Sequence, residues 1–155
     1  MGAAYFYHLK QSSLDSALLL LLGKAQGAGW QIEVRGTDPG QMEWLDEKLW
    51  HGAADSFLPH AMAGGAHDGV QPILLTTNSA ADPPRACLMS VQGADVGAAE
   101  VNAAERVCIL FDGHDADAEQ RARVQWKALT DAGCSAQYWS DEDGSWVKKA
   151  EHPKS

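Results

Sequence analysis

Two rhythms of apolar residues run along the chain. Ala3 to Leu9 (Ala-Ala-Tyr-Phe-Tyr-His-Leu) is apolar and aromatic without helical spacing, which predicts a first strand. Ser12, with Asp15 three residues on, offers a cap for a helix carrying Leu14, Leu18, Leu21, Leu22 and Ala25 at helical intervals, stopped by Gly27 and Gly29. Trp30 to Val34 alternates apolar and polar, as a half-buried strand does. Asp38, Pro39 and Gln41 form the next start signal, for a helix to about Trp50 with Met42, Leu45 and Leu49 on its core face. After Gly52 the chain reads as loop through Gly69.

Pro72 to Thr77 and Ala86 to Val91 read as two further strands around the turn-rich Asn78 to Arg85. Asp95 to Arg106 reads as either a short helix or an extended loop. Val107 to Phe111 is a continuous apolar run, expected of a strand covered on both faces. Asp115 to about Ala132 predicts a helix with Ala118, Ala122, Leu129 and Ala132 on one stripe and Gly133 as its stop. Ala136 to Trp139 is the last predicted strand, before an acidic turn (Asp141, Glu142, Asp143), Trp146 and a mixed-charge tail. Strands alternating with helices define an α/β sandwich with a largely parallel sheet. No repeat or linker divides it, so residues 1–150 are expected as one domain and 151–155 as a short flexible tail.

At 155 residues, 45% hydrophobic and 21% charged, the chain has the composition of a soluble globular domain. A formal charge of -9 argues against general adhesion to nucleic acid or anionic membrane, because both need a basic face. Any role near DNA would pass through another protein. Cys87, Cys108 and Cys134 are odd in number and widely spaced, which suits a reducing cytoplasm. The Leu18 to Leu22 run is too short to span a bilayer, and no targeting signal is read.

The first strand-to-helix connection, where such folds cradle phosphate, reads His8-Leu9-Lys10-Gln11-Ser12 without glycine. Neither a dinucleotide fingerprint nor a Walker A sequence occurs, so no cofactor is expected and the Val107 to Asp112 run is only a buried strand. His51, His60, His67 and His114 lack metal-ligand spacing, and His114, Asp115 and Asp117 read as a turn and helix start. Ser56 and His60 are a loop pair without an orienting group, so no catalytic constellation is assembled.

Two stretches call for a functional explanation. Trp44 to His60 crowds two tryptophans, Phe57, Pro59 and two histidines onto a helix end and its loop, where aromatic area suggests docking. The bland reading is the edge of the core. In the late helix, Arg123 and Lys127 stand one turn apart with Trp126 beside both, a cationic face with a ring in an acidic protein. A Glu119 to Arg123 pair on a solvated surface is the plain alternative. The functional one is a pocket for an acidic, aromatic-ended peptide.

These features resemble the chi subunit of bacterial DNA polymerase III holoenzyme. The resemblance rests on the Tyr5-Phe6-Tyr7 strand, on Leu45-Asp46-Glu47-Lys48-Leu49-Trp50 followed by Ser56-Phe57-Leu58-Pro59-His60, and on Arg123-Val124-Gln125-Trp126-Lys127 before Ala132-Gly133. It implies a Rossmann-like three-layer sandwich that has lost its nucleotide-binding loop, in a non-enzymatic accessory subunit. Such an adaptor links the clamp loader, through psi or an equivalent partner, to the acidic C-terminal tail of single-stranded DNA-binding protein. Carried over, Trp50, Arg123, Trp126 and Lys127 form the tail pocket, Trp126 standing where the family often has tyrosine. Phe57 and Pro59 lie on a separate face for psi or an alternative helicase partner. The family's further lysine one turn before Arg123 is replaced here by Glu119 and Gln120, with Arg121 or Lys148 as possible substitutes. No direct nucleic-acid binding, no membrane, a monomer when isolated and a cytoplasmic location are expected. The competing reading is a small Rossmann-like nucleotide-binding domain or enzyme.

Overall fold

The computed structural model describes residues 3–51, 60–62, 73–77, 85–91 and 93–152; for 15, 49–51 and 60–62 the description covers the backbone only. In chain order these form β1 (Ala3–Leu9), α1 (Leu14–Gly27), β2 (Ile32–Gly36), α2 (Pro39–His51), β3 (His60–Met62) and β4 (Ile73–Thr77). There follow β5 (Cys87–Ser90), α3 (Ala98–Ala103), β6 (Arg106–Asp112), α4 (Ala116–Asp131), β7 (Ser135–Ser140) and β8 (Val147–His152). One eight-stranded sheet runs in the order β3-β4-β2-β5-β6-β1-β7-β8, parallel everywhere except at the antiparallel β7–β8 pair.

The α/β architecture and largely parallel sheet agree with the hydrophobic pattern, and two strands depart from it. β3 arises inside the segment read as loop, because its backbone completes the edge beside β4. β8 arises from the mixed-charge tail, with His152 opposite Ala136, so strand pairing extends past residue 150. Hairpin hydrogen bonds hold β8 without a burial pattern, and its exposed Lys148 and Lys149 suit an edge that must not pair further.

Alternation along the strands builds two cores. Tyr7 and Leu9, Ile32 and Val34, and Cys108 and Leu110 pack with α1 and with Met42 and Leu45 of α2. On the other face Phe6, Val107, Ile109 and Phe111 meet Val101 of α3 and Ala122 and Leu129 of α4. Connections through α1 and α2 step toward the β3 edge, and those through α3 and α4 step toward β8. Crossovers of one hand place helices of opposite step direction on opposite faces, which is why the sheet is covered on both sides. The predicted double-sided burial of β6 follows.

β2 differs from its predicted half-buried character: all five residues are buried. Arg35 accounts for this, since every N–H of its guanidinium is used. It donates to Glu33 at 2.9 and 3.3 Å, to Glu100 at 3.0 and 2.6 Å, and to the Asp95 carbonyl at 2.9 Å. Thr76 donates to Glu33 from β4 at 2.7 Å. Burial lowers the pKa of Arg35, but the hydrogen bonds to Glu100 and Glu33 hold it above its ordinary value; the bond from Arg35 holds Glu100 below its own.

The ends of β1 and β6 stand side by side, Leu9 opposite Asp112. Gly113 follows, donating to the Leu9 carbonyl at 2.7 Å. A Cβ at Gly113 would lie 2.7 Å from that oxygen and 2.6 Å from the His8 ring, so the turn requires glycine. Gly113→Ala is expected to destabilise the fold by about 1–3 kcal/mol, read in a urea melt; a loss within error would show that the turn relaxes freely.

Candidate functional site

The late helix begins as predicted, with Asp115 accepting from Asp117 N at 2.9 Å and Ala118 N at 3.3 Å, and Gly133 follows its end at φ +89°. Ala122 and Leu129 face the sheet, which turns Arg123, Val124 and Lys127 outward, all exposed. Trp126 lies between these directions. Its ring meets Phe6 edge-on at 5.3 Å and Tyr138 at 6.1 Å, so it is half-buried and held in place. Arg123, Trp126 and Lys127 therefore form one surface on a rigid support.

The Glu119 to Arg123 pair of the plain alternative does not form, although Arg123 does lie on the solvated face of α4. Glu119 turns to β1 and binds His8 Nε2 at 2.9 Å, with Lys10 Nζ at 3.9 Å, while His8 Nδ1 meets the Tyr138 hydroxyl at 3.0 Å. Arg123 makes no ion pair among the described residues. Lys127 is partly neutralised by Asp131 at 3.2 Å. Neither proposed substitute for the missing lysine joins this face: Arg121 packs against Gly93 on the other flank of α4, and Lys148 pairs with Glu151 at 3.2 Å.

Trp50 belongs to α2, whose core residues Met42 and Leu45 pack on the face of the sheet opposite α4. Its side chain, and all of Phe57 and Pro59, lie outside the described residues. Trp44 from the same stretch is 48% exposed with Lys48 Nζ 5.4 Å over its ring, which is not the buried core-edge position of the bland reading.

The place where a phosphate would be cradled has an occupant that the sequence reading missed. Asp141, just beyond β7 and buried, accepts hydrogen bonds from the backbone N–H groups of Lys10 at 2.7 Å, Gln11 at 3.1 Å and Ser12 at 2.8 Å. These are the donors of the β1–α1 connection. Because Ser12 is committed to Asp141, Ser13 rather than Ser12 caps α1, accepting from Ser16 N at 3.4 Å. Burial raises the pKa of Asp141, but the bonds from Ser12, Lys10 and Gln11 outweigh it and bring it to about 2. A fixed carboxylate thus fills the anion cradle and repels a second anion. The only sequence signal was an acid directly after β7, which reads equally well as a turn.

Beside this loop a cleft of about 480 Å³ opens at the strand ends, lined among others by Ser13, Asp112, Asp115, Arg121 and Gln125. Among the described residues no three His, Cys, Asp or Glu side chains converge as a metal site would need, and no helix is long and apolar enough to cross a membrane.

The fold and loop define an α/β domain in which the phosphate cradle is closed by the chain's own carboxylate and cations with a ring are presented on an outer helix. The family model for the DNA polymerase III chi subunit, HolC, matches residues 1–137, and the chain belongs to that family. It is thereby a DNA replication accessory subunit, of a family that works within the polymerase III complex. No curated protein matches the chain. The family match ends within β7, before Asp141 and β8.

Proposed function

We propose that this protein is a non-catalytic adaptor which joins the clamp-loader complex to the acidic C-terminal tail of single-stranded DNA-binding protein. The observation that carries the reading is the exposed Arg123, without an ion pair among the described residues, beside the anchored Trp126, with Lys127 one turn on. A guanidinium whose helix neighbour Glu119 is engaged elsewhere keeps its donors for a peptide carboxylate. The rigid indole supplies apolar area at low entropic cost.

A peptide with an acidic run and a C-terminal phenylalanine is expected to bind in a salt-sensitive way. By calorimetry, Arg123→Ala should weaken it roughly tenfold, and Lys127→Ala less, since Asp131 already offsets that charge. Binding indifferent to both substitutions would sink the α4 assignment. Trp50 is assigned to the tail site by family resemblance alone; because α2 packs on the face of the sheet opposite α4, Trp50→Ala is expected to weaken tail binding less than Arg123→Ala.

Phe57 and Pro59 are assigned to psi or to an alternative helicase partner. A pull-down from native extract with Phe57→Ala and Arg123→Ala in parallel should lose different partners; loss of the same set would collapse the two sites into one. The reading further takes the domain as Rossmann-like without nucleotide binding, monomeric in isolation and cytoplasmic. Against the rival nucleotide-binding reading, the Asp141 carboxylate already engages the donors of the β1–α1 connection that a phosphate needs.

A further inference from the structure

The face of the sheet opposite α4 holds a second gathering of rings and cations. Between α1 and the β7–β8 hairpin lies a pocket of about 360 Å³, walled by Tyr7, Trp30, Trp139 and Trp146, with Lys24 and Arg106 as its charged residues. Among the described residues no carboxylate lines it, although the chain as a whole carries a formal charge of -9. The half-buried Arg106 guanidinium sits 4.4 Å over the Tyr5 ring and 5.4 Å over the Trp30 ring. Neither Arg106 nor Lys24 makes an ion pair among the described residues. Trp146 is fixed edge-on against Tyr7 at 5.3 Å, and Trp139 donates to Gln137 at 3.0 Å.

Ring faces orient a guanidinium without consuming its in-plane donors, so Arg106 is set up to receive an anion. The indole walls and Met89 ask for a flat apolar body attached to that anion. Along the mouth, Leu20 is 49% exposed and Lys24 stands one turn further on α1, where a ligand with a second acidic group would meet it. We propose that this pocket binds an aromatic carboxylate, its ring among Trp30, Trp139 and Trp146 and its carboxylate on Arg106. Two sources supply that chemistry, a free aromatic acid and the last residue of an acidic peptide. Lying across the sheet from α4, the pocket stands or falls independently of the adaptor reading.

The test uses the full chain, with indole N–H signals assigned by single Trp→Phe variants. In an Arg123→Ala background, which disables the α4 surface, titration with N-acetylphenylalanine should move the signals of Trp30, Trp139 and Trp146; N-acetylphenylalanine amide should move none. Arg106→Gln should weaken binding roughly tenfold or more, with a melting curve to confirm that it folds and the amide on wild type as a control free of that concern. Acetyl-Asp-Asp-Phe binding several-fold tighter, with the gain lost in Lys24→Gln, would name a peptide end as the source; equal affinity would name the free acid. Movement of Trp126 alone, no movement at all, or equal binding of acid and amide would overturn the proposal.

Discussion

Arg35→Ala is expected to be the most damaging single substitution outside the apolar core, lowering stability by about 3–5 kcal/mol in a urea melt at neutral pH. Glu33 is buried and receives two of the Arg35 hydrogen bonds beside that from Thr76, so the substitution takes two charge-assisted bonds from a carboxylate that water does not reach. Glu100 loses the bidentate bond that ties the start of α3 to β2. The cost comes less from the lost pair than from a buried carboxylate that loses much of the hydrogen bonding which offsets its desolvation. Glu33→Gln in the Arg35→Ala background removes that charge and should recover part of the loss. A deficit below about 1 kcal/mol for Arg35→Ala would mean that water reaches Glu33 freely.

Asp141→Asn is expected to cost about 2 kcal/mol at pH 7, with the cost depending on pH in a way that identifies its origin. The folded pKa of about 2 lies below the ordinary value of 3.8, so the carboxylate contributes stability that is fully present above about pH 4. That contribution, roughly 2 kcal/mol for a buried group, is lost as pH falls from about 4 through about 2. Urea melts of wild type and Asp141→Asn should therefore diverge at pH 7 and draw together toward pH 2. A difference that stays constant across this window would assign the effect to packing rather than to the charge in the loop.

Much of the architecture was legible in the pattern of residues. The run from Val107 to Phe111 marked a strand buried on both faces, and Asp115 with Gly133 bracketed α4, because caps and continuous apolar runs are local signals. β3 and β8 were not legible: each is held by its neighbour's hydrogen bonds, with too little apolar pattern of its own. The candidate site was legible in kind, as two cations and a ring on one helix. Its ion pairing was not, because the sequence places Glu119 one helical turn from Arg123, whereas the fold brings His8 of β1 within 2.9 Å of it.

The sequence by itself determined the α/β class, the faces of α1, α2 and α4, and the outward position of Arg123 and Lys127, since these follow from periods of two and 3.6 residues. Only the tertiary structure decided what becomes of the charges. Glu33 and Arg35 alternate like solvent-facing residues, yet β2 is interior and Glu100, far along the chain, completes their pairing. Asp141 looks like part of an acidic turn, yet it directly follows β7 beside β1 and fills the loop where a phosphate would sit. The reason is that periodicity fixes which way a side chain points, whereas a charge is settled by the donors and acceptors that the sheet order brings to it from distant segments.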